Sequence, residues 1–231
     1  MKVTANHIRL HVEERGEGDL ALVFLHYWGG SSRTWTEVAA PLSATCRTVA
    51  LDQRGWGQSE APADGYRIAD LADDAAAAVA ALGLLRCVLV GHSMGGKVAQ
   101  PLASRRPEWL AGLVLVAPAP PTPMAMPDEQ RLAMLDAYDT PEAVGWALDQ
   151  VLTARPPGEE LRSRAMADSL GGASAAKRAW PTVGMLEDIS AAVTAIEVPT
   201  LVIAGERDQI DRVETLEREV VGRIKGARLV T

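Results

Sequence analysis

The sequence predicts an α/β fold, built on a mostly parallel, twisted sheet with helices on both faces. Short apolar runs rich in Val, Leu and Ile recur along the 231 residues, and helical patterns separate them. These runs lack polar alternation, as strands do when helices cover both faces of a parallel sheet. The alternating order of strands and helices indicates right-handed crossovers within one sheet.

The first element differs from the others. Residues 3–5 and 8–13 alternate polar and apolar side chains around Asn6, which indicates an antiparallel hairpin at one sheet edge. Buried strands are then expected at residues 21–26, 47–52, 87–93, 110–118 and 199–208. The clearest helices are expected at residues 68–82, 94–106 and 213–224.

The pattern of strands breaks after Pro118. Residues 118–127 contain five prolines, which remove backbone donors and exclude a helix or a central strand. Beyond them we expect short helices at 128–138, 141–153, 159–169 and 173–182, and no strand before Thr200. The prediction is therefore a helical cap at 120–195, inserted into a core formed by 1–119 and 196–231 and covering a site at the carboxyl ends of the strands.

The composition argues against several functional classes. With 23 basic and 30 acidic residues the net charge is −7, which opposes binding to nucleic acid or to an anionic membrane surface. The longest apolar run, residues 109–118, is too short for the ~20 residues of a membrane span. The N-terminus lacks the apolar stretch of a secretory signal, so we expect a cytoplasmic protein.

A G-x-S-x-G motif, formed by Gly91, Ser93 and Gly95, lies between a buried strand and a helix. A nucleophilic serine in this position occupies a sharp, strained turn that needs small neighbours. The turn aims the amide of Met94 at a reacting carbonyl, where the helix N-terminus adds partial positive charge. The motif indicates a nucleophilic serine, and the alternative is a glycine-rich turn with an incidental one.

With this motif in place, the sequence resembles the α/β-hydrolase family over most of its length. The segment HYWGG, residues 26–30, is similar to the family's oxyanion segment. The resemblance implies that the backbone amides of Trp28 and Met94 form the oxyanion hole. The family usually has glycine where this chain has Tyr27, so the assignment of Trp28 depends on the backbone angle at Tyr27.

A second segment carries the same resemblance. LDQRGWGQS, residues 51–59, is similar to the family's Asp-x-Arg-Gly-x-Gly-x-Ser segment, which packs near the floor of the active site. The resemblance implies a structural role for Asp52 and Arg54.

The catalytic acid is expected at the end of a later strand, because the triad order in this fold is Ser, then Asp or Glu, then His. Asp208 ends an apolar run, where a carboxylate can orient an imidazole. Glu206 and Asp211 compete for this role. Asp211 and Glu214 have the spacing of a helix capping box, and Glu206 is expected to be exposed in the turn.

None of the four histidines follows Asp208. His7 and His11 lie on the predicted hairpin and are expected to be solvated or packed. By the family resemblance His26 braces the oxyanion loop, and His92 diverges from its neighbour Ser93.

The final GARLVT looks like the last strand before the loop that bears the family's catalytic histidine. We therefore expect the triad histidine beyond Thr231, and the alternative is a protein that has lost its base and keeps weak reactivity at Ser93.

The resemblance implies a serine hydrolase of an ester, lactone or related acyl bond, acting on a small molecule through an acyl-enzyme on Ser93, with no cofactor and no metal. Serine in this position disfavours the haloalkane dehalogenase type, which needs a carboxylate. Carbon–carbon bond hydrolases, peracid-forming cofactor-free peroxidases and peptidases of the proline-iminopeptidase kind share the constellation. A non-catalytic protein that binds a small ligand on this fold is the other class.

Two expectations concern side chains outside the triad. Met124, Trp146 and Trp180 are expected to line an acyl pocket, unless they simply pack the cap onto the core. The family's strand order puts residues 21–26 between the strands of Cys46 and Cys87, which separates the cysteines by roughly 9 to 10 Å. That exceeds the ~7 Å limit between bridged α-carbons, so both are expected to stay reduced.

Overall fold

The centre of the fold is an eight-stranded sheet, in a computed structural model that describes residues 1–231. The spatial order is β1-β2-β4-β3-β5-β6-β7-β8. The strands are β1 (Lys2–Ala5), β2 (Ile8–Arg15), β3 (Ala21–Leu25), β4 (Arg47–Leu51), β5 (Cys87–His92), β6 (Leu110–Val116), β7 (Thr200–Ile203) and β8 (Arg228–Val230). Pairing is antiparallel in the β1–β2 edge hairpin and between β2 and β4, and parallel from β4 to β8. The predicted fold class and edge hairpin are confirmed.

Helices cover both faces of this sheet. They are α1 (Thr36–Leu42), α2 (Ile68–Ala81), α3 (Met94–Ser104), α4 (Asp128–Ala133), α5 (Pro141–Ala147), α6 (Glu159–Gly171), α7 (Ser174–Thr182), α8 (Ser190–Val193) and α9 (Val213–Leu216). The side chains of β3 alternate between two apolar clusters. Val23 and Leu25 pack in a large cluster with residues of α2 and α3, whereas Phe24 packs with Trp35 and a residue of α1.

Helices and helical turns are the only regular secondary structure between β6 and β7. The four helices expected there correspond to α4 to α7, and α8 is additional. Two of them are short because the backbone changes its winding, to a 3₁₀ turn at Met134–Asp136 and a π-helical turn at Leu148–Leu152. The side chain of Thr140 caps α5 by accepting from the amide of Ala143, and Pro141 occupies the first turn.

The predicted bounds of one strand and one helix were wrong in the C-terminal part of the chain. The strand expected at residues 199–208 ends at Ile203, because the chain turns out of the sheet after Ala204. The helix expected at 213–224 is α9, four residues long, followed by a π-helical turn at Glu217–Val221. The final strand is present as β8.

The positions of the two cysteines follow from the strand order. Ala21 of β3 pairs with Arg47 of β4 on one side and with Cys87 of β5 on the other, so β3 separates Cys46 from Cys87. Both cysteines are free, as expected. None of the helices combines the length and the apolar character needed to cross a membrane.

Candidate active site

Ser93 occupies the sharp turn between β5 and α3. Its backbone angles are φ 50° and ψ −113°, in a region that a non-glycine residue enters only under strain. Hydrogen bonds hold the turn from both sides: the amide of Ser93 donates to Val116 O at 3.1 Å, and Ser93 O accepts from the amide of Ala119 at 3.1 Å. The Ser93 hydroxyl makes no hydrogen bond within the chain.

Small residues make this turn possible. A Cβ on Gly91 would lie 2.4 Å from Gly95 O, and one on Gly95 would lie 2.3 Å from Leu25 O. No side chain fits at either position, so the close approach of β3, β5 and α3 requires glycine. The motif is therefore built as the sequence predicts.

Two backbone amides beyond the carboxyl ends of the paired strands β3 and β5 have no acceptor within the chain. Met94 is the first residue of α3, where amides have no acceptor within the helix. Trp28 follows β3, and its amide makes no hydrogen bond within the chain. Tyr27 is not among the residues with positive φ, so the backbone there needs no glycine.

His26 fixes the peptide unit that carries the Trp28 amide. His26 Nδ1 lies 2.7 Å from Tyr27 O, and Nε2 lies 3.0 Å from the amide nitrogen of Gln53. Since a carbonyl only accepts and an amide only donates, Nδ1 carries the proton and Nε2 does not. Burial lowers the pKa of His26, which keeps this tautomer neutral. His26 thus braces the loop and is unable to act as a base toward Ser93.

Asp52 organises the turn after β4. It accepts from the amides of Ser32 and Gln58 at 2.6 and 2.8 Å, and lies 2.9 Å from His11 Nδ1. Burial alone would raise the pKa of Asp52, but these amide hydrogen bonds outweigh burial and lower it. The contacts are structural.

Arg54 forms a buried ion pair with Asp74 of α2. The Arg54 guanidinium donates to both carboxylate oxygens of Asp74, at 2.5 and 2.6 Å. This fork geometry ties the loop after β4 to α2. Arg54 also donates to Gly65 O, and it makes no contact with Ser93.

Asp208 lies in the turn after β7. Its Oδ1 accepts from the amides of Ile210 and Asp211 at 2.9 and 3.0 Å, while Oδ2 makes no hydrogen bond within the chain. The carboxylate borders a cavity of about 610 Å³ between the 206–214 turn and the 150–154 segment. Glu206 also lines this cavity and is exposed, as expected.

The capping role expected for Asp211 is wrong. Arg212 precedes α9 at the cap position, and no side chain caps the helix. Asp211 is buried, its Oδ1 has no partner, and burial raises its pKa well above the usual value. A carboxyl that is harder to ionise is a poorer partner for an imidazolium.

The other histidines do not reach Ser93. His7 is exposed in the β1–β2 turn, and His11 is buried beside Asp52. The His92 ring packs against Tyr27 at 5.3 Å and Trp35 at 6.2 Å, between ring centres. Burial lowers the pKa of His92 to about 4.

Three side chains predicted to line a pocket lie in different surroundings. Met124 is half-buried and its amide donates to Met185 O. Trp180 is buried against Gly184, and the side chain of Trp146 on α5 is 64% exposed. None of the three borders the 610 Å³ cavity, so their role in an acyl pocket stays a prediction.

Contacts from the 120–195 segment to the loop after β3 could not be foreseen from the sequence. Asp168 of α6 accepts from Ser31 Oγ at 2.9 Å and forms an ion pair with Arg33. Its neighbour Ser169 donates to Gly29 O at 2.9 Å. Nothing in the spacing of these residues indicates the contacts, because they join positions about 140 residues apart.

Comparison with known proteins places this geometry in a family. A family model described as alpha/beta hydrolase fold matches residues 21–220. The chain belongs to the α/β-hydrolase family. The family, the fold class and the enzyme class expected from the sequence, a hydrolase, are thereby confirmed.

Individual relatives agree over most of the chain. It is 29% identical to the 2-(acetamidomethylene)succinate hydrolase of Mesorhizobium japonicum, over 90% of this chain and 78% of that protein. Among solved structures, an esterase from Exiguobacterium antarcticum matches with a TM-score of 0.91 and 25% identity, covering 100% of this chain and 89% of the esterase. Est816, described as an N-acyl homoserine lactone degrading enzyme, matches with a TM-score of 0.86 and 28% identity, covering 100% and 90% of the two chains.

Proposed function

We propose that this α/β-hydrolase cleaves an ester, lactone or related acyl bond of a small molecule through an acyl-enzyme on Ser93. The observation that carries the proposal is the placement of Ser93 at a strained turn, with the free amide of Met94 directly after it and the free amide of Trp28 in the loop that follows the paired strand β3. A hydroxyl held at such a turn is exposed to a substrate, and the two amides suit the negative charge of a tetrahedral intermediate.

The chemistry divides into two displacements. Ser93 Oγ attacks the acyl carbon as a base removes its proton, and the leaving alkoxide takes that proton as the carbonyl re-forms. Water then attacks the acyl-enzyme, again with the help of the base, and releases the acid and the free serine. Asp208 is assigned the role of orienting an imidazole base, because its Oδ2 is unpaired beside an open cavity.

Residues 1–231 contain no histidine that can serve as this base. His26 and His11 are committed to structural hydrogen bonds, His92 is enclosed by aromatic rings, and His7 is remote on the edge hairpin. Imidazole supplied in solution should therefore accelerate acylation of Ser93. The rate should saturate if the imidazole binds next to Asp208.

The test is hydrolysis of p-nitrophenyl acetate with increasing imidazole. The Ser93→Ala chain measures the reaction of imidazole itself and is subtracted. We expect a saturating, Ser93-dependent rate that Asp208→Asn reduces at least tenfold, while Glu206→Gln, in the same cavity wall, leaves it unchanged. An equal response in the Ser93→Ala chain would refute the acyl-enzyme, and an unchanged response in Asp208→Asn would refute the assignment of the acid.

The second candidate is a non-catalytic protein that binds a small ligand on the same fold, and the lack of a base near Ser93 favours it. A serine-reactive fluorophosphonate separates the two. Stoichiometric labelling that Ser93→Ala abolishes supports the enzyme, and no labelling, even with imidazole present, supports the binding protein. A series of p-nitrophenyl esters of increasing acyl length then narrows the substrate class.

A further inference from the structure

Three buried residues form a closed ring of hydrogen bonds beside the oxyanion loop. Trp28 Nε1 donates to Lys177 O at 3.0 Å, Lys177 Nζ donates to Tyr138 O at 2.7 Å, and the Tyr138 hydroxyl donates to Trp28 O at 2.9 Å. Each side chain thus binds the backbone carbonyl of the next residue. We call this arrangement the Trp28–Tyr138–Lys177 ring.

The ring joins two parts of the molecule that are distant in sequence. Trp28 belongs to the loop after β3, whereas Tyr138 and Lys177 belong to the 120–195 segment. All three residues are at least nine-tenths buried, and the Trp28 and Tyr138 rings are in contact at a 35° tilt, with centres 4.1 Å apart. Hydrogen bonds in such surroundings are costly to break, because the freed polar group has no water to replace its partner.

The ring acts on the residue whose amide is assigned to the oxyanion hole. The Trp28 amide belongs to the peptide unit held by His26 through Tyr27 O, and Trp28 O belongs to the next unit, held by Tyr138. Both peptide units that flank the Trp28 α-carbon are therefore fixed. This leaves the amide direction of Trp28 little freedom to rotate.

Gly29 gives independent evidence that the Tyr138 ring and this loop fit closely. Its φ is +95°, and an added Cβ would lie 2.5 Å from Tyr138 Cε2. Only glycine fits at this position, because any side chain would collide with the Tyr138 ring and the positive φ is unfavourable for other residues.

We propose that Tyr138 and Lys177 are positioning residues for the oxyanion hole, holding the Trp28 amide in the direction that a tetrahedral intermediate requires. The proposal rests on the function proposed above. It assigns to the 120–195 segment a part in the chemical step, beyond covering the site. Neither residue touches the substrate, and both act through Trp28.

The first test compares the native chain with Tyr138→Phe, which removes one oxygen and keeps the ring packing. Tyr66→Phe is the matched control, because the Tyr66 hydroxyl also donates to a backbone carbonyl, Pro62 O at 2.8 Å. Acylation is measured at fixed imidazole with p-nitrophenyl acetate and with its thionoester, in which sulfur replaces the carbonyl oxygen. Sulfur accepts hydrogen bonds poorly, so the ratio of the two rates reports on the oxyanion hole.

We expect Tyr138→Phe to slow the oxoester about tenfold and the thionoester much less. The loss should be smaller than the roughly 10²- to 10³-fold that follows removal of an oxyanion donor itself. Tyr66→Phe should leave the ratio unchanged. An equal loss with both esters would mean that Tyr138 has only a structural role, and would overturn the proposal.

A double substitution tests the ring as a unit. Lys177→Met alone and Tyr138→Phe alone should each lower the ratio of oxoester to thionoester rates, and the double variant should lose little more than either one. If the effects of the two substitutions on this ratio multiply, Tyr138 and Lys177 act independently and the ring does not act as a unit.

A measurement without substrate keeps the proposal testable if the variants are poorly active. In ¹H–¹⁵N correlation spectra, the Trp28 amide signal should shift and broaden in Tyr138→Phe. In Tyr66→Phe it should remain as in the native chain. An unmoved Trp28 signal overturns the positioning role. If the native chain shows no Ser93-dependent acylation, the proposed function fails and the positioning role fails with it, whereas acylation with an unaltered ester ratio refutes the positioning role alone.

Discussion

At the scale of single residues, the site depends on backbone positions that only certain side chains allow. Ser93 holds a positive φ that α3 and the loop at Ala119 maintain through hydrogen bonds. Such strain persists only where the surroundings overdetermine the conformation. The glycines around Ser93 allow the surroundings to hold this conformation, because they let the backbones of β3, β5 and α3 come into direct contact.

Gly95→Ala should therefore disrupt the site. The new methyl group would lie 2.3 Å from Leu25 O, which forces α3 away from β3. We expect a loss of about 1 to 3 kcal/mol in the free energy of unfolding, and loss of fluorophosphonate labelling at Ser93. Gly171→Ala in α6 is the control, since nothing lies within 4 Å of its Cβ. Urea titration and labelling measure both effects, and labelling at the native rate in Gly95→Ala would contradict this account of the turn.

Lys97 makes a second prediction at this scale, on pH. It is buried one turn after Ser93, its ammonium donates only to Thr122 O at 3.2 Å, and burial lowers its pKa to about 8. Between pH 8 and 10.5 the unfolded chain binds a proton at Lys97 that the folded chain does not, so the stability of the native chain rises with pH. Below pH 8 both states are protonated, and the full cost of the buried charge remains.

Lys97→Met removes this titration. The stability of Lys97→Met minus that of the native chain should fall as pH rises from 7 to 10, by at most about 3 kcal/mol, since one pKa unit corresponds to about 1.4 kcal/mol. Taking the difference between the two chains cancels the other groups that titrate in this range. A difference that is constant with pH would show that Lys97 keeps its ordinary pKa.

At the scale of elements, the sequence predicted the sheet better than the helices. Continuous apolar runs mark β3 to β6 because both faces of those strands are buried. Helix α1 was missed, since Pro41 lies within it and its apolar pattern is short. The ends of α4, α5 and α9 were misplaced because each changes to a 3₁₀ or π winding that periodicity does not register.

The site could be predicted only in part, for a related reason. Local patterns identify Ser93 directly after β5 and Asp208 in the turn that follows β7, and they mark the glycines of the Ser93 turn. The Trp28–Tyr138–Lys177 ring joins residues 39, 110 and 149 positions apart, and no local pattern connects them. Asp211 was misassigned because its spacing to Glu214 fits a cap, while its burial is decided by tertiary packing.

The acyl preference should test which residues of the 120–195 segment contact substrate. Single substitutions Met124→Ala, Trp146→Ala and Trp180→Ala are compared across p-nitrophenyl esters of increasing acyl length. We expect Met124→Ala and Trp180→Ala to shift the preference toward longer chains, since each removes bulk from a half-buried or buried position. The exposed Trp146 should give the smallest shift. If no variant alters the preference, these three residues do not select the substrate.

At the scale of the whole molecule, the strand order decides which groups can meet. Placing β3 between β4 and β5 brings the Trp28 loop and the Ser93 turn side by side at the carboxyl ends of neighbouring strands. The same order separates Cys46 from Cys87. The strand order thus accounts both for the neighbouring positions of the Trp28 loop and the Ser93 turn and for the separation of the thiols.

Thiol chemistry checks this topology. The intact mass without reductant should show no loss of two hydrogens. Burial raises the pKa of Cys87 to about 11, so iodoacetamide should modify Cys46 first in the folded chain and reach Cys87 only in urea. Rapid modification of Cys87 in the folded chain, or an internal disulfide, would contradict the arrangement in which β3 separates β4 from β5.

The long spans of the Trp28–Tyr138–Lys177 ring also set an order in time. Contacts between distant positions form late, because closing long loops costs entropy before the contacts are made. During synthesis, 84 residues separate the emergence of Ser93 from that of Lys177, or roughly 4 to 17 s at about 5 to 20 residues per second. During that interval the nascent chain contains Ser93, but the loop that bears Trp28 lacks its hydrogen bond to Lys177 O. The positioning proposed for Tyr138 and Lys177 therefore becomes possible only after both residues of the 120–195 segment have been synthesised.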